Sequence, residues 1–331
     1  MSQAIFAPLR RGLALAALAA AFTGPPQAAT AASDGFAMTT ACDDACLQGF
    51  ADRYLAAMVV KSPSRLPWAA RVRASENNVM LRPGDGLWGA ITGGFSNPIK
   101  FTDPQTGNVG VFALVEQRGR PTYFGLRLKV TDGKIAEVET LVNQPDAEAP
   151  PSPGGGDPKT YFHYPEMSKI LPEAQRTPRL RMIDLANGYF STLQLNDGRL
   201  LTEFSADCRR QENGFESAGN PKFERPEGKL SCGEQFKTGT FIFDDAVRDR
   251  DYMLVDEARG LVLARGTIDH SAARTEARVA DGHLVQTFIK KPGSVAMLEL
   301  FHITAGKIDR IEVVHIATPY AMPSVWRRDR D

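Results

Sequence analysis

Apolar residues recur at intervals of three and four positions in two separate regions of the chain. The first stripe consists of Leu47, Phe50, Ala51, Tyr54, Leu55 and Met58. The second stripe consists of Ile183, Ala186, Asn187, Phe190 and Leu193. This spacing is typical of one face of an amphipathic helix, so the pattern predicts one helix in each region.

Each predicted helix is followed by segments that alternate between apolar and polar residues, which indicates β-strands. The last two predicted strands of the first region are 122–130 and 134–142, and those of the second region are 295–304 and 307–317. Both pairs are joined by a short turn that ends in Gly-Lys-Ile. A helix first and strands afterwards predict an α+β fold rather than a βαβ one.

The two regions resemble each other closely enough to indicate an internal duplication. Glu76-Asn77 matches Glu212-Asn213 after one inserted residue, and the terminal strands align at nearly the same offset. Between them, eight of the 14 residues in 145–158 are Pro or Gly, which predicts a surface linker without a core of its own. The predicted domains are therefore a first repeat over 42–143, a Pro/Gly-rich linker over 144–175 and a second repeat over 176–320.

The N-terminus has the three parts of a secretory signal peptide. Arg10 and Arg11 precede the short apolar run 12–22, and Ala29-Thr30-Ala31 is an A-x-A cleavage site. We expect residues 1–31 to be removed and the mature protein to be periplasmic or secreted. An uncleaved anchor is the alternative, although the apolar run is short for a membrane span.

Four cysteines in an oxidising compartment favour two disulfides. Of the three possible connectivities, local pairing of Cys42 with Cys46 and of Cys208 with Cys232 is the preferred one. Neither pair has CxxC spacing and no histidine lies nearby in sequence, so a zinc site is a poor alternative. We expect no metal.

Several motifs resemble the SnoaL-like branch of the nuclear transport factor 2 superfamily. The order of helix, Glu-Asn strand and terminal strands is similar to that group, and four motifs resemble the narrower domain of unknown function 8021 family. These motifs are CDDACL (42–47), PSRLP (63–67), Glu76-Asn77 and GDGLW (84–88). The resemblance covers most of residues 42–143 and 176–318.

This resemblance implies two tandem cone-shaped α+β barrels, each with a curved antiparallel sheet wrapped by N-terminal helices around an apolar pocket. Members of the superfamily include isomerases, dehydratases, lyases and epoxide hydrolases, as well as proteins that only bind or dimerise. The fold class therefore leaves the function open.

Composition and motifs exclude several classes of function. The chain has 39 basic and 39 acidic residues, is 43% hydrophobic, and has no formal net charge, which argues against nucleic-acid binding. Loss of the signal peptide removes two arginines, so the mature charge is 37 minus 39, or −2. The sequence has no phosphate loop, dinucleotide fingerprint or nucleophile elbow. We expect no cofactor and, after signal cleavage, no membrane association.

Alignment of the two repeats identifies an acid–base pair that is present in the second one alone. Glu299 replaces Leu126 on an otherwise apolar strand face, and His315 replaces Val142 on the next strand. A carboxyl group and an imidazole on one apolar face could transfer protons. The alternatives are a buried pair that only satisfies itself, or a face assignment that is wrong by one residue.

Glu76 and Glu212 are further candidates because both repeats contain them. Their duplication favours a structural role at a strand end, whereas the functional interpretation has Glu212 joining Glu299 at the pocket mouth. Glu139 and Glu312 also match, but they fall on the opposite face, where a solvated position or an inter-domain salt bridge is expected.

Four residues are candidates for substrate binding besides Glu76. Met297 and Phe301 lie on the same predicted face as Glu299. Arg250, from the run Arg248-Asp-Arg-Asp251, could bind an acidic group, although such a run is typical of a solvated edge. Trp88 could stack on an aromatic ligand or belong to the core.

These observations predict a cofactor-independent lyase, dehydratase or isomerase acting on a small apolar or aromatic molecule in the second repeat. The first repeat would then be a degenerate partner in an internal pseudo-dimer, and the protein would be a monomer. A small-molecule binding module and a purely structural secreted protein are the alternatives.

Overall fold

The first half of the protein is a helix followed by six strands. Helix α1 begins after Asp43, whose carboxylate accepts the Cys46 amide N–H at 2.9 Å. The elements are α1 (Asp44–Val59), β1 (Trp68–Glu76), β2 (Val79–Met80), α2 (Leu87–Ala90), β3 (Ile91–Asp103), β4 (Asn108–Gln117), β5 (Arg120–Thr131) and β6 (Lys134–Asn143). This computed structural model describes residues 42–146, 148, 155–278, 282–287 and 289–327. The predicted signal peptide and its cleavage site lie outside the described residues.

The second half repeats this order with longer insertions. Its elements are α3 (Arg179–Leu195), β7 (Phe204–Glu212), β8 (Phe215–Ala218), α4 (Pro226–Lys229), α5 (Cys232–Lys237), β9 (Ala246–Asp256), β10 (Leu261–His270), β11 (Glu276–Arg278), β12 (Leu284–Gln286), β13 (Gly293–Thr304) and β14 (Lys307–Thr318). Strands β11 and β12 form a separate two-stranded sheet. No helix among the described residues is long and apolar enough to span a membrane.

The two six-stranded sheets have the same strand order, β2-β1-β6-β5-β4-β3 in the first half and β8-β7-β14-β13-β10-β9 in the second. The predicted α+β class is therefore confirmed. Two details of the prediction are wrong. Strands β1 and β6, and likewise β7 and β14, pair in parallel, so neither sheet is fully antiparallel. Both sheets also end in free edge strands, so the expected barrels are not closed.

Strand register supports the residue-by-residue alignment of the two halves. Leu126 lies opposite Thr140 in the first sheet, and Glu299 lies opposite Val313 in the second. His315 lies opposite Met297, as Val142 lies opposite Phe124. These pairs make Glu299 the counterpart of Leu126 and His315 the counterpart of Val142.

The two sheets pack against each other, and each carries its helix on the outer face. The layer between them is apolar and comes from both sheets and from the connecting segment. It contains Ile99, Phe101, Phe112, Leu114, Tyr123, Leu141, Tyr164, Met167, Met253, Leu254, Leu261, Leu263, Leu298, Leu300, Val314 and Ile316. Because strand residues alternate between faces, the outward-facing residues form two further cores, one under α1 and one under α3.

The connecting segment is more than the surface linker that its composition predicts. Tyr164 and Met167 are buried in the layer between the sheets. His163 Nδ1 lies 2.6 Å from Glu312 Oε2, and its Nε2 lies 2.8 Å from the Asn97 carbonyl oxygen. The apolar residues after the Pro/Gly-rich stretch therefore anchor the connection to both sheets.

The two matched glutamates on the inner faces, Glu139 and Glu312, are buried rather than solvated. Glu312 is 1% exposed and is held by the connecting segment. Glu139 accepts a hydrogen bond from Arg265 at 2.8 Å, so it forms a salt bridge between the two halves.

The C-terminal residues cross from the second half to the first. The predicted second repeat ends at residue 320, but Trp326 is buried and its Nε1 donates to Ser75 Oγ at 2.8 Å. Its indole lies 4.5 Å from the Arg73 guanidinium and 5.0 Å from that of Arg127. Cation–π contacts of this kind fasten the end of the chain to the first sheet.

Both predicted disulfides are present. Cys42 bonds Cys46 beside the start of α1, and Cys208 bonds Cys232 between β7 and α5. The second bond ties the short helix α5 to the sheet.

Candidate functional site

A cavity of about 320 Å³ lies in the second half, between α3 and the outer face of the sheet. Most of its exposed wall is apolar. The lining residues are Asn143, Tyr189, Leu193, Arg210, Glu212, Phe241, Asp244, Ile268, His270, Val295, Met297, Glu299, Val313, His315 and Ala317. The structure thus brings together the three predicted catalytic residues and one of the predicted substrate-binding residues, Met297.

Glu299 is the most perturbed carboxyl group of the cavity. It is 2% exposed, and its Oε2 has no hydrogen-bond partner. Burial raises its pKa to about 8, against the lowering effects of the Arg210 charge and of a hydrogen bond with Tyr189. The group is therefore a neutral acid at neutral pH.

Arg210 is a site residue that sequence reasoning missed. Its guanidinium is fully buried and donates to Glu212 Oε1 at 2.9 Å, to Tyr189 Oη at 3.2 Å and to Gln235 Oε1 at 2.7 Å. The alignment contained the signal, since β-strand pairing makes Ala74 the counterpart of Arg210. At this position an apolar residue of the first half corresponds to a charged residue of the second half, as Leu126 corresponds to Glu299.

Glu212 and His315 face each other at a longer distance. His315 Nε2 lies 4.0 Å from Glu212 Oε2, while the other Glu212 oxygen accepts from Ser217 Oγ at 2.6 Å. Two amide side chains hold the His315 backbone. Asn213 donates to its carbonyl oxygen at 3.0 Å and accepts from its N–H at 3.0 Å, and Asn143 also donates to the carbonyl at 2.9 Å.

Asn143 comes from the end of β6, so the first half contributes a residue to the cavity. Asn77 makes the same backbone clamp on Val142 in the first half. The asparagine of the duplicated Glu-Asn element therefore fixes the end of the last strand in both sheets.

A second carboxylate–histidine pair lines the cavity and was not predicted. His270 Nε2 lies 2.8 Å from Asp244 Oδ1, and Asp244 is almost completely buried. Burial raises the pKa of Asp244, whereas the hydrogen bond to His270 lowers it. Sequence reasoning missed the pair because its members come from separate segments, 26 residues apart, and Asp244 lies outside the strands that were aligned.

The corresponding place in the first half is filled by side chains. Trp88 packs edge-on against Tyr54 with ring centroids 5.5 Å apart, and Phe95 packs on Phe124 at 5.0 Å. With Leu126 on the same face, these rings leave a pocket of only about 20 Å³.

Two predicted substrate-binding residues of the first half are part of this filled region. Trp88 is 5% exposed and belongs to the core. Glu76 accepts the Leu87 N–H at 2.9 Å, a contact that secures the start of α2. Both side chains lie in the first half, apart from the lining of the second-half cavity, and their contacts agree with the core and structural alternatives for them.

Two predicted binding residues of the second half lie outside the cavity lining. The Arg250 guanidinium bonds Ser191 Oγ at 2.9 Å and Gln194 Oε1 at 3.0 Å, on helix α3. Phe301 is fully buried and packs on Tyr189 with ring centroids 5.0 Å apart. Arg250 therefore joins β9 to the helix, and Phe301 supports the wall from behind.

The described residues contain no group of three or more His, Cys, Asp or Glu side chains arranged to hold a metal ion. The cavity's chemistry is therefore argued from its titratable groups: Glu299, Glu212, Asp244, His270 and His315.

Comparison with known proteins gives one family match. A search of curated proteins finds no match. Among solved structures, a crystal structure of a de novo designed protein with a curved β-sheet is similar at 18% identity and a TM-score of 0.25, over 31% of this chain and 86% of that one. Residues 175–315 match the family described as domain of unknown function 8021, and this region contains α3, the second sheet except for the last three residues of β14, and all but two of the cavity-lining residues.

Proposed function

We propose that the second-half cavity is the active site of a cofactor-independent acid–base enzyme that acts on a small apolar or aromatic molecule. This proposal depends mainly on one observation: Glu299 lies in the wall of an open cavity, and its buried Oε2 has no hydrogen-bond partner. A buried polar atom without a partner costs about 1–3 kcal/mol. A ligand that accepts a hydrogen bond from Glu299 recovers this cost.

Glu299 is the proton donor in this proposal. With a pKa of about 8 it carries its proton at neutral pH, and the chain Arg210–Tyr189–Glu299 stabilises the carboxylate left after transfer. His315 is the proton acceptor. It lies on the same sheet face as Glu299, on the adjacent strand β14, two residues beyond Val313, which pairs with Glu299. From this position the imidazole and the Glu299 carboxyl can reach two atoms of one ligand.

The charges of the cavity favour an uncharged ligand. The guanidinium of Arg210 is already bonded to Glu212, Tyr189 and Gln235, so it is not free to bind an anion. The apolar wall formed by residues such as Ile268 and Val295 matches an alicyclic or aromatic body. Lyase, dehydratase and isomerase reactions, which need only proton transfers, fit this set of groups.

A non-catalytic binding protein is the second candidate. The same cavity would then hold its ligand through the apolar wall, with Glu299 as a hydrogen-bond donor alone. In that case the Glu212–His315 pair would have no role in proton transfer. For this reason we prefer the enzyme.

We also propose that each half is a divergent SnoaL-like unit, that the protein is exported, and that it is a monomer. The order of one helix followed by six strands supports the first proposal. Two disulfides support an oxidising compartment. The apolar layer between the sheets supports the third, because it buries the face that a separate partner would cover.

The experiment that tests the function begins with native mass spectrometry of the exported protein. A retained molecule, or its close analogues, becomes the substrate for turnover assays of the wild type and of Glu299→Gln. We expect Glu299→Gln to stay folded and to lose turnover. Glu116→Gln, a change at an exposed carboxyl of the first half, is the control. Binding that survives in Glu299→Gln without turnover in either protein would favour the binding module.

A further inference from the structure

We propose that Asp244 and His270 form a second subsite of the cavity, which accepts a hydrogen bond from a hydroxyl group at the outer end of an elongated, uncharged ligand. This inference rests on the proposed function and specifies its ligand class. The ligand would present a carbonyl group to Glu299 and a hydroxyl group to His270, with an apolar body between them.

Strand register places the two polar ends far apart. Glu299 pairs with Ala264 on β10, and His270 lies six residues further along the same strand and on the same face. At about 3.3 Å per residue, this corresponds to about 20 Å of strand. The residues between the two ends on this face are Gly266 and Ile268 on β10 and Met297 and Val295 on β13. On β10 and β13 the cavity wall is therefore polar at both ends and apolar in the middle, and His315 lies beside this middle part on β14.

The pair is held rigidly at the end of the sheet. The Asp245 N–H donates to the Asp269 carbonyl oxygen at 2.9 Å, and the Ser271 N–H donates to Asp245. On the opposite face, Asp269 accepts from Arg248 at 2.6 Å. Because the residues flanking both members of the pair are bonded to each other, Asp244 and His270 keep their geometry without a ligand.

Hydrogen-bond chemistry determines what the subsite accepts. The nitrogen of His270 that faces the Asp244 carboxyl is Nε2, and where the carboxylate accepts from it, Nε2 carries the ring proton. Nδ1 is then left as an acceptor. A hydroxyl group donates to such a nitrogen, whereas an ether or a carbonyl cannot.

The filled half lacks this subsite. Gln117 stands at the position of His270, because it pairs with Arg120 as His270 pairs with Gly293. There β4 and β5 are joined directly by Arg118 and Gly119. The imidazole therefore occurs only where there is a cavity for it to serve.

The test uses two probes: acetylbiphenyl, with its acetyl group in the para position, and the derivative with a para hydroxyl group on the far ring. Dissociation constants are measured by calorimetry on the full mature chain. We expect the hydroxyl derivative to bind the wild type about fivefold to tenfold more tightly, the effect of one hydrogen bond. Asp244→Asn keeps the shape of the side chain but can donate to Nε2 and leave the ring proton on Nδ1, so it should reduce this preference, because a phenol hydroxyl accepts a hydrogen bond more weakly than it donates one.

His270→Ala should abolish the preference, and Gln117→Ala in the first half, as matched control, should preserve it. Equal binding of the two probes to the wild type overturns the proposal, as does a preference that survives both Asp244→Asn and His270→Ala. If both probes bind equally and Glu299→Gln weakens both, the subsite is refuted while the proposed cavity function stands. If neither probe binds, both proposals fall.

Discussion

The two halves of this protein have the same strand order, but among the described residues the second encloses a cavity of about 320 Å³ where the first has a pocket of about 20 Å³. In the first half, Trp88 and the Phe95–Phe124 pair fill the space between helix and sheet. In the second half, strand register puts Val247 in place of Phe95 and Met297 in place of Phe124. Two aromatic rings of the filled half are thus replaced by smaller side chains at the equivalent positions of the half with the cavity.

Polarity differs at the same positions as volume. Ala74, Leu126, Val142 and Gln117 of the first half become Arg210, Glu299, His315 and His270 in the second. All four of the second-half residues line the cavity. A charged group needs either a partner or solvent, so buried charges and an open space occur together on the outer face of the second sheet, where the first sheet has Ala74, Leu126 and Val142 in its core.

The largest expected effect comes from giving the first half the acid of the second. Leu126→Glu should lower the free energy of unfolding by about 4 kcal/mol, because the buried carboxyl would find Ala74 where Glu299 finds Arg210. Denaturant unfolding measures it. Glu299→Leu is the matched change and should cost less than about 1 kcal/mol, since Arg210 keeps Glu212. Equal costs would contradict the comparison.

The two disulfides should contribute unequally to stability, with the larger contribution from the one in the second half. A loop of 25 residues is closed by Cys208–Cys232 and one of five by Cys42–Cys46. Chain entropy predicts that replacing both cysteines by alanine lowers the free energy of unfolding by about 3.5 kcal/mol for Cys208–Cys232 and by about 2 kcal/mol for Cys42–Cys46. Thermal unfolding of the two double variants checks this, and a larger loss from Cys42–Cys46 would be inconsistent with it.

Glu299→Gln should reduce turnover by about a hundredfold or more, the contribution of a general acid. Wild-type turnover should also fall as pH rises through about 8, where Glu299 loses its proton. A pH profile of the catalytic rate measures both. Activity that is unchanged in the variant would remove Glu299 from the mechanism.

Stability should follow the same titration. Because burial raises the pKa of Glu299 from 4.5 to about 8, the folded protein retains a proton that the unfolded chain releases. The free energy of unfolding therefore falls as pH rises through this window. Glu299→Gln removes this contribution, so its stability should decline less between pH 5 and 9. Chemical denaturation at several pH values compares the two proteins, and parallel curves would contradict the assignment.

Arg210→Met should raise the pKa of Glu299 by about one unit, equivalent to ~1.4 kcal/mol, because the guanidinium is the main opposing charge. Carboxyl carbon chemical shifts measured during a pH titration report this change. Arg250→Met should leave the titration unchanged, since Arg250 bonds helix α3 outside the lining. If the two variants gave the same shift, the effect would be a general one.

The smallest effect is expected for Asn143, the first-half residue that lines the second-half cavity. Asn143→Leu removes one of two amide donors to the His315 carbonyl and should lower stability by about 1 kcal/mol or less. It should also shift the backbone amide resonance of His315, measured by NMR, because the hydrogen bonds at this backbone position change. An unaltered resonance would mean that Asn213 alone positions His315.

The sequence by itself determined the duplication, the α+β order and the faces of the strands. Because a strand alternates with a period of two, Glu299 and His315 could be assigned to one face before the structure was known, and local spacing favoured the two disulfides that are present. Strand-by-strand alignment also contained Arg210, as the counterpart of Ala74, although a single basic residue in a polar strand did not stand out.

Only the tertiary structure decided which half is hollow and what surrounds the acid. Whether a face is covered depends on rings such as Trp88 and Phe95, which come from segments that precede the two terminal strands compared in the sequence. The Asp244–His270 pair likewise brings two separate segments together. Met167 of the connecting segment is buried by residues of both sheets. Periodicity follows from the backbone of each strand, whereas the volume of a cavity is the space left by side chains brought together from the whole chain, so it appears only once the chain is folded.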